Sequence, residues 1–436
     1  MKKLFAVTVF FALLTSLSFA DISISGLVSL GATLAKGTLV NDDDVRASMN
    51  YVCGTLEADG QDDDNTFGGS VKIKTETGIN YVQFSASAWW QPVTQLKLRL
   101  GGIDDFALTE IVGWGYHAND SENLVLSALG NYAGYNFPNT TGFYAGTGSS
   151  WTGVTLSLSP MYGLDINLEF PLSKGNPFTL NDMDIKPPAL DVYQYSSMQA
   201  IYTVYGIGRF SVAFTGGGDG KLRLINDTDP PASYITPTFL DGYTVNSSTV
   251  YASFLWTTLD FVNFNIGVTY SLPVEFDYGG SKTSYFPPMT AGAGLSIGTD
   301  QIGVKTRIAA TFLGGSVNVD NVSMKEPLRL GFGILPYYKL GPCMLYLNAS
   351  ISYTQDYEQK KGTSISEVSS ALGWFINPYM TVPVGYGTFY AGLRLESDGL
   401  KYGRNSGNIG KNNFVVQPDG KPIIEWAVPI GMQFMF

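Results

Sequence analysis

The chain has 436 residues, of which 44% are hydrophobic and only 14% charged, with 50 glycines, 26 tyrosines, 26 phenylalanines and a formal net charge of −11. An acidic chain is a poor partner for nucleic acid or anionic surfaces, and two cysteines, Cys53 and Cys343, are too few for a disulfide framework in an exported protein of this length. Beyond the N-terminus no uninterrupted apolar run approaches the length of a membrane-spanning helix, so a membrane role falls to strands, and only a closed barrel satisfies strand backbone groups in lipid.

The first stretch, "MKKLFAVTVFFALLTSLSFAD", has two lysines, an apolar run from Leu4 to Leu14, and the small-residue tripeptide Ser18-Phe19-Ala20 before Asp21. It reads as a secretory signal peptide over 1–20, cleaved after Ala20. Removing Lys2 and Lys3 with it takes the formal charge from −11 to −13. Residues 21–436 are then one domain.

That domain is written in period-two alternation. "ISISGLVSLGATLA" sets Ile22, Ile24, Val28, Leu30 and Leu34 against Ser23, Ser25, Ser29 and Thr33, "SVKIKTE" sets Val71 and Ile73 against Lys72 and Lys74, and "QLKLRLG" sets Leu96, Leu98 and Leu100 against Lys97 and Arg99. The pattern recurs to the C-terminus and predicts strands beginning near residues 22, 46, 67, 80, 94, 151, 164, 190, 209, 244, 263, 289, 301, 326, 342, 366, 388 and 422. After even-numbered strands come tight turns such as Gln91-Pro92-Val93, Gly206-Ile207-Gly208, Thr299-Asp300, Lys339-Leu340-Gly341 and Gly385-Tyr386-Gly387. After odd-numbered ones come longer polar segments, including 103–150, 173–189, 217–243, 273–288 and 398–421. Alternation of this kind predicts an all-β fold: a transmembrane antiparallel β-barrel of about 16–18 strands with short turns at one end and long loops at the other.

The third long connection, 103–150, is the longest. Its start, "IDDFALTEIV", could form a short helix capped by an aspartate, and it supplies Asp104, Asp105 and Glu110. Opposite the lipid-facing leucines and valines, alternation points Lys97, Arg99, Arg209, Lys305, Arg307, Arg329 and Arg394 into the barrel, with Asp165 and Glu169. Acids on an inward loop facing bases on the wall would set a transverse field across a constriction, which favours small polar solutes. The plainer alternative is that these are ordinary wetted interior side chains.

Catalysis has little to work with. The one histidine, His117, lies in the third loop, so any triad would have to use it. The runs Asp42-Asp43-Asp44 and Asp62-Asp63-Asp64 fit no calcium-loop spacing and read as solvated loop charge. No metal site, cofactor site or catalytic residue is predicted, and the expectation is that the protein is not an enzyme. Trp90, Trp151, Trp256 and Trp426, in or beside strands, suit interfacial aromatic girdles.

The final stretch, "IIEWAVPIGMQFMF", alternates Trp426, Val428, Ile430, Met432, Phe434 and Phe436 with Glu425, Pro429, Gly431 and Gln433. It resembles the terminal strand of outer-membrane barrels of diderm bacteria. That resemblance implies that Phe434 and Phe436 form the signal read by the barrel-assembly machinery, that periplasmic chaperones escort the chain, and that it resides in outer-membrane lipid. The order of elements, with "TQLKLRLGG" as fifth strand, a long third loop, and "SWTGVTLSLS" opening the sixth, resembles trimeric general porins. "WWQPVTQLKLRLGGIDD" also looks like spirochaete outer-membrane barrels. General porins have sixteen strands against the eighteen counted here; the resemblance implies a channel for small hydrophilic solutes and ions, with a homotrimer among the states it allows. The alternative is a surface adhesin or antigen whose barrel displays loops. A fatty-acid transporter barrel would normally place a plug before the first strand, whereas here Ile22 starts a strand beside the cleavage site.

Overall fold

A computed structural model describes residues 21–38, 48–76, 83–102, 106–107, 144–145, 152–173, 196–226, 236–272, 274–278, 281–285, 289–312, 316–319, 322–325, 329–354, 357–361, 364–368, 371–397 and 424–436. Among them there is no helix. The barrel strands are β1 (Asp21–Thr38), β2 (Ser48–Gln61), β3 (Phe67–Glu76), β4 (Gln83–Val93), β5 (Leu96–Gly102), β6 (Thr152–Met161), β7 (Leu164–Ser173), β8 (Ser197–Val204) and β9 (Gly208–Asn226). They continue as β10 (Thr236–Leu259), β11 (Val262–Ser271), β12 (Met289–Gly298), β13 (Ile302–Phe312), β14 (Arg329–Leu340), β15 (Cys343–Thr354), β16 (Ala371–Val384), β17 (Gly387–Gly392, resuming as Arg394–Ser397) and β18 (Ile424–Met435). Across the interruption in β17 the Leu393 amide still donates to the Pro378 carbonyl at 2.9 Å, so the two pieces serve as one strand.

Every strand pairs antiparallel with its chain neighbours, and β1 pairs with both β2 and β18. The sheet therefore has no free edge, which is the condition for strands in lipid. At the seam Leu27 faces Met435 and Val28 faces Phe434. The Gly26 amide donates to the Phe436 carbonyl at 2.7 Å and the Phe436 amide returns the bond at 3.0 Å. The ladder thus runs to the last residue.

Eight connections of two to five residues, at 62–66, 94–95, 162–163, 205–207, 260–261, 299–301, 341–342 and 385–386, lie at one end with Asp21 and Phe436. Their chemistry is local. Gly163, Gly206, Gly341 and Gly385 sit at φ between 58° and 82°, where only a residue without Cβ is at ease. In the first turn Asp62 is more than the solvated charge expected of it: its carboxylate accepts from the Thr66 amide at 2.7 Å, the Thr66 hydroxyl at 2.5 Å and the Phe67 amide at 2.9 Å. Those donors, the Thr66 hydroxyl first, hold its pKa below the ordinary carboxylate value.

Several expected boundaries shift. The second turn is Thr94-Gln95, with Pro92 still inside β4, and the seventh is Gly341-Pro342. The segment 217–243, expected as a loop, is mostly strand, because β9 and β10 run on as a paired hairpin to Asn226 and Thr236. At about 3.3 Å per residue its 24-residue arm is some 80 Å long, far beyond a bilayer. Within 273–288, Val274–Tyr278 pairs with Ser281–Tyr285. Ser316–Val319, Val322–Lys325, Tyr357–Lys361 and Ser364–Val368 form a separate four-stranded sheet from two adjacent connections at the same end. In "IDDFALTEIV" the expected helix is contradicted where the chain is described, since Phe106–Ala107 bridges Tyr144–Ala145 as strand.

Candidate lumen and charge-lined wall

Burial in this molecule is inside out. Ile24, Leu100 and Ile308, on one strand face, are 65%, 53% and 56% exposed, while Ser29, Gln199, Ser211, Asn265 and Gln433, on the other, are buried. Apolar exposure costs nothing against lipid, and polar burial is tolerated where side chains meet one another or water. At eighteen strands the ring is wide enough for an aqueous bore. In architecture the chain is a closed eighteen-stranded antiparallel barrel with an apolar outside and a polar inside.

Cross-strand register organises the inner wall into rows. One runs Trp89, Arg99, Thr155, Glu169, Ser197 across β4 to β8. A second runs Lys97, Ser157, Asn167, Gln199, Ala213, Tyr251 across β5 to β10. Lys97 lies over the Trp89 ring, 4.2 Å from its centroid, which holds the ammonium against the wall. A third row, Gly303, Tyr337, Tyr346, Tyr379, Gly392, crosses β13 to β17. Tyr346 and Tyr379 stack at 4.7 Å, and the Tyr337 hydroxyl donates to the Thr299 carbonyl at 2.9 Å.

Of the nine wall charges expected to face inward, Lys97, Arg99, Arg209 and Lys305 are half-buried on inner-face positions. Arg394 is only 2% exposed, opposite Ala427 on β18, and Glu169 is equally buried. Asp165 is exposed and accepts from the Ser159 hydroxyl at 2.6 Å. Arg307 occupies the register position between Gly294 and Gly333, and Arg329 that between Thr311 and Thr354. Asp104, Asp105, Glu110 and His117 lie outside the described residues, as does Trp151. The bases therefore come from β5, β9, β13, β14 and β17 rather than from one patch. Phe434 and Phe436 lie on the outer face at the turn end, the first ring against Gly387 and the second against Gly26.

Sequence reasoning missed two features. Glu57 and Asp59 on β2 face inward beside Lys72 on β3, with Lys72 Nζ 3.1 Å from Glu57. Their alternation in "GTLEADGQ" is faint because the lipid-side partners after Leu56 are the small Ala58 and Gly60. The second feature is an arc of deep burial. The largest fully buried side chains described, Arg394, Tyr390, Leu335 and Asn377, all belong to the inner faces of β14, β16 and β17. The Oδ1 atoms of Asn377 and of its directly opposed neighbour Asn348 are buried without a protein hydrogen-bond partner. Aromatic side chains collect at the turn end, where Trp90 and Trp256 lie beside tight turns, Tyr162 and Tyr205, in neighbouring turns, stack at 4.6 Å, and Phe261, Tyr338 and Tyr386 are exposed, whereas Trp426 lies toward the other end.

No family model and no curated protein matches the chain. Among solved structures it is similar to OmpT, an outer-membrane protein of Vibrio cholerae, at a TM-score of 0.45 and 8% identity over 96% of this chain and 100% of that one. It is similar to OccK11 of Pseudomonas aeruginosa at 0.48 and 8% identity, over 96% of each chain. A substituted porin of Rh. blastica gives 0.42 and 12% identity over 95% of this chain and 100% of the other. The barrel assignment rests on the closed ladder and the inverted burial, not on these likenesses.

Proposed function

We propose that the protein is a non-enzymatic outer-membrane channel for passive diffusion of small hydrophilic solutes and ions, delivered by the 1–20 signal peptide and inserted through the signal at Phe434 and Phe436. The observation that carries this reading is the charged, half-wetted inner wall inside a ring closed by β1 and β18. The constriction would form where the third loop's Asp104, Asp105 and Glu110 meet Lys97, Arg99, Arg209, Lys305, Arg307, Arg329 and Arg394. Two features support an inward course for that loop. Its base is drawn together by the Phe106–Ala107 and Tyr144–Ala145 bridge. In a ring of eighteen, the β14–β17 arc of deep burial lies across from β5 and β6, where the loop is rooted. Outer-membrane lipid, the barrel-assembly machinery and periplasmic chaperones are the partners this reading requires, and a homotrimer is compatible with it.

Display of surface loops is the second reading. It is favoured by the long β9–β10 hairpin and by the four-stranded sheet at the loop end. Planar-bilayer recording of the refolded protein decides between them. A channel should conduct, should shift toward anions when Asp104, Asp105 and Glu110 are neutralised, and should conduct more when the centre of the third loop is deleted. An unchanged trace in both variants would leave the display reading.

A further inference from the structure

We infer that Trp89 is the positioning residue for one charge of the lumen wall: its indole ring seats the Lys97 ammonium against the wall at the turn-side mouth and holds it back from the bore. The inference rests on the channel reading but not on the third loop.

Three strands build the seat. On β3, Gly68 lies directly opposite Trp89 of β4, and a Cβ on that glycine would overlap the indole at Cζ2 and Cε2. The ring therefore lies over bare backbone, so a large side chain can recline on the wall instead of standing into the lumen. On β5, Arg99 is the residue directly opposite Trp89, and Lys97 is the next inward position toward the turn. Diagonal neighbours on one sheet face are within reach of aromatic and long side chains. Lys97 Nζ uses that reach, lying 4.2 Å from the ring centroid, well inside the distance at which a ring face attracts a cation. Lys97 is two residues beyond Gln95, the end of the second turn, so it stands roughly 7 Å from the turn rim along its strand.

The seat sets a population. Trp89 and Lys97 are both half-buried, so water reaches the contact. A cation–π contact at such a site favours the seated ammonium over a freed one by about two- to fivefold. Seating weakens the charge as passing ions meet it, for two reasons of the same sign. The ammonium is kept at the wall, and Coulomb attraction falls with distance. The negative face of the ring also offsets part of its field. Other charges share this part of the wall: Arg99 on β5, Glu57 and Asp59 on β2, Lys72 and Lys74 on β3, Asp165 and Glu169 on β7, and Asp62, Asp63 and Asp64 in the first turn. Whether they are paired does not enter the inference, because substitutions confined to Trp89 and Lys97 leave all of them in place.

The test is the reversal potential of the refolded full chain in planar bilayers under a KCl gradient. K97Q should raise the potassium-to-chloride permeability ratio about twofold, the size expected of a unit charge acting through water at several ångströms. W89L keeps apolar bulk but has no ring face, and it should lower the ratio about 1.5-fold by freeing the ammonium toward the bore. W89F, which keeps a ring face, should stay nearer the wild type. In a chain already carrying K97Q, W89L should leave the ratio unchanged. G68A displaces the ring while removing neither partner, so it should also lower the ratio, and it carries the test if W89L does not refold. An equal W89L shift in both backgrounds would mean that the ring acts through bore width, and the seat is overturned. A conducting protein in which K97Q changes nothing, or in which neither W89L nor G68A does, overturns the seat and leaves the channel reading standing. A wild-type protein that does not conduct overturns both together.

Discussion

At the scale of single residues, the wall is held by aromatic rings laid over glycines directly across the ladder. Trp89 covers Gly68, Tyr337 covers Gly303, Tyr390 covers Gly431, Phe434 covers Gly387 and Phe436 covers Gly26. A glycine alone weakens a strand, since it loses more backbone freedom and packs nothing. A ring lying flat on it restores the buried area and pins register, because no other residue leaves room for the ring. At Gly431 the nearest atoms a Cβ would meet all belong to the Tyr390 side chain. Tyr390 is completely buried, so its ring has no open side into which to swing. Gly431→Val should therefore lower unfolding stability in urea by about 1–3 kcal/mol through overpacking. In a Tyr390→Ala background the same valine should cost much less, and a double-mutant cycle reads the difference as coupling. Equal costs in the two backgrounds would mean the ring and the glycine are not a unit. Gly341 makes the opposite case. Nothing lies within 4 Å of its Cβ position, but φ is +60°, so Gly341→Asn should be tolerated and Gly341→Val should not.

At the scale of elements, the strand that decides the fold is the last one, because β18 must satisfy both β17 and β1. Its inner positions are small or polar, Ala427, Pro429, Gly431 and Gln433, and all are buried; Phe434 and Phe436 on the outer face are exposed. β1 accommodates the closure with two irregularities, at Gly31/Ala32 against β2 and at Thr33/Ala35 against β18. Bulges of this kind let a strand bend around a ring. At Phe436 the ring covering Gly26 is to be separated from the proposed role as an address read during delivery. Phe436→Asp keeps the backbone bonds to Gly26 but removes the ring and places a carboxylate at the lipid boundary. In cells it should leave the precursor exported and sharply reduce heat-modifiable barrel in the membrane fraction. Refolding the same variant in detergent isolates the covering ring. Near-normal refolding in detergent, with loss only in cells, assigns the residue to delivery; loss in both assigns it to closure. Normal heat-modifiable barrel in cells would remove both.

At the scale of the whole molecule, the alternation of apolar and polar residues carried the strand count, because period two is imposed twice, by lipid outside and by the lumen inside. It placed β3, β7 and β12 at their first residues, Phe67, Leu164 and Met289. It failed where only one constraint acts. Beyond the membrane β9 and β10 keep pairing without lipid on either face, so "GGDGKLRLIN", 217–226, reads as loop although it is strand. The site was less legible than the fold: Arg394 and Glu169 could be assigned to the inner face by parity, but their deep burial depends on what packs over them, which parity does not encode. The inward positions of Glu57 and Asp59 were hidden by small lipid-side neighbours. The same topology makes a sidedness prediction. All eight tight turns, Asp21 and Phe436 share one rim, and the extended hairpin and accessory sheet share the other. An exported chain that enters the membrane from the periplasm keeps its short turns there, since moving only the long connections across leaves the turns where they began. With Cys53 and Cys343 replaced by serine, a single cysteine at Asn226 or Ser364 should react with a membrane-impermeant maleimide on intact cells. One at Gln95 or Gly385 should react only after the outer membrane is opened. Reaction at Gln95 in intact cells, with Asn226 protected, would mean that the barrel sits the other way up.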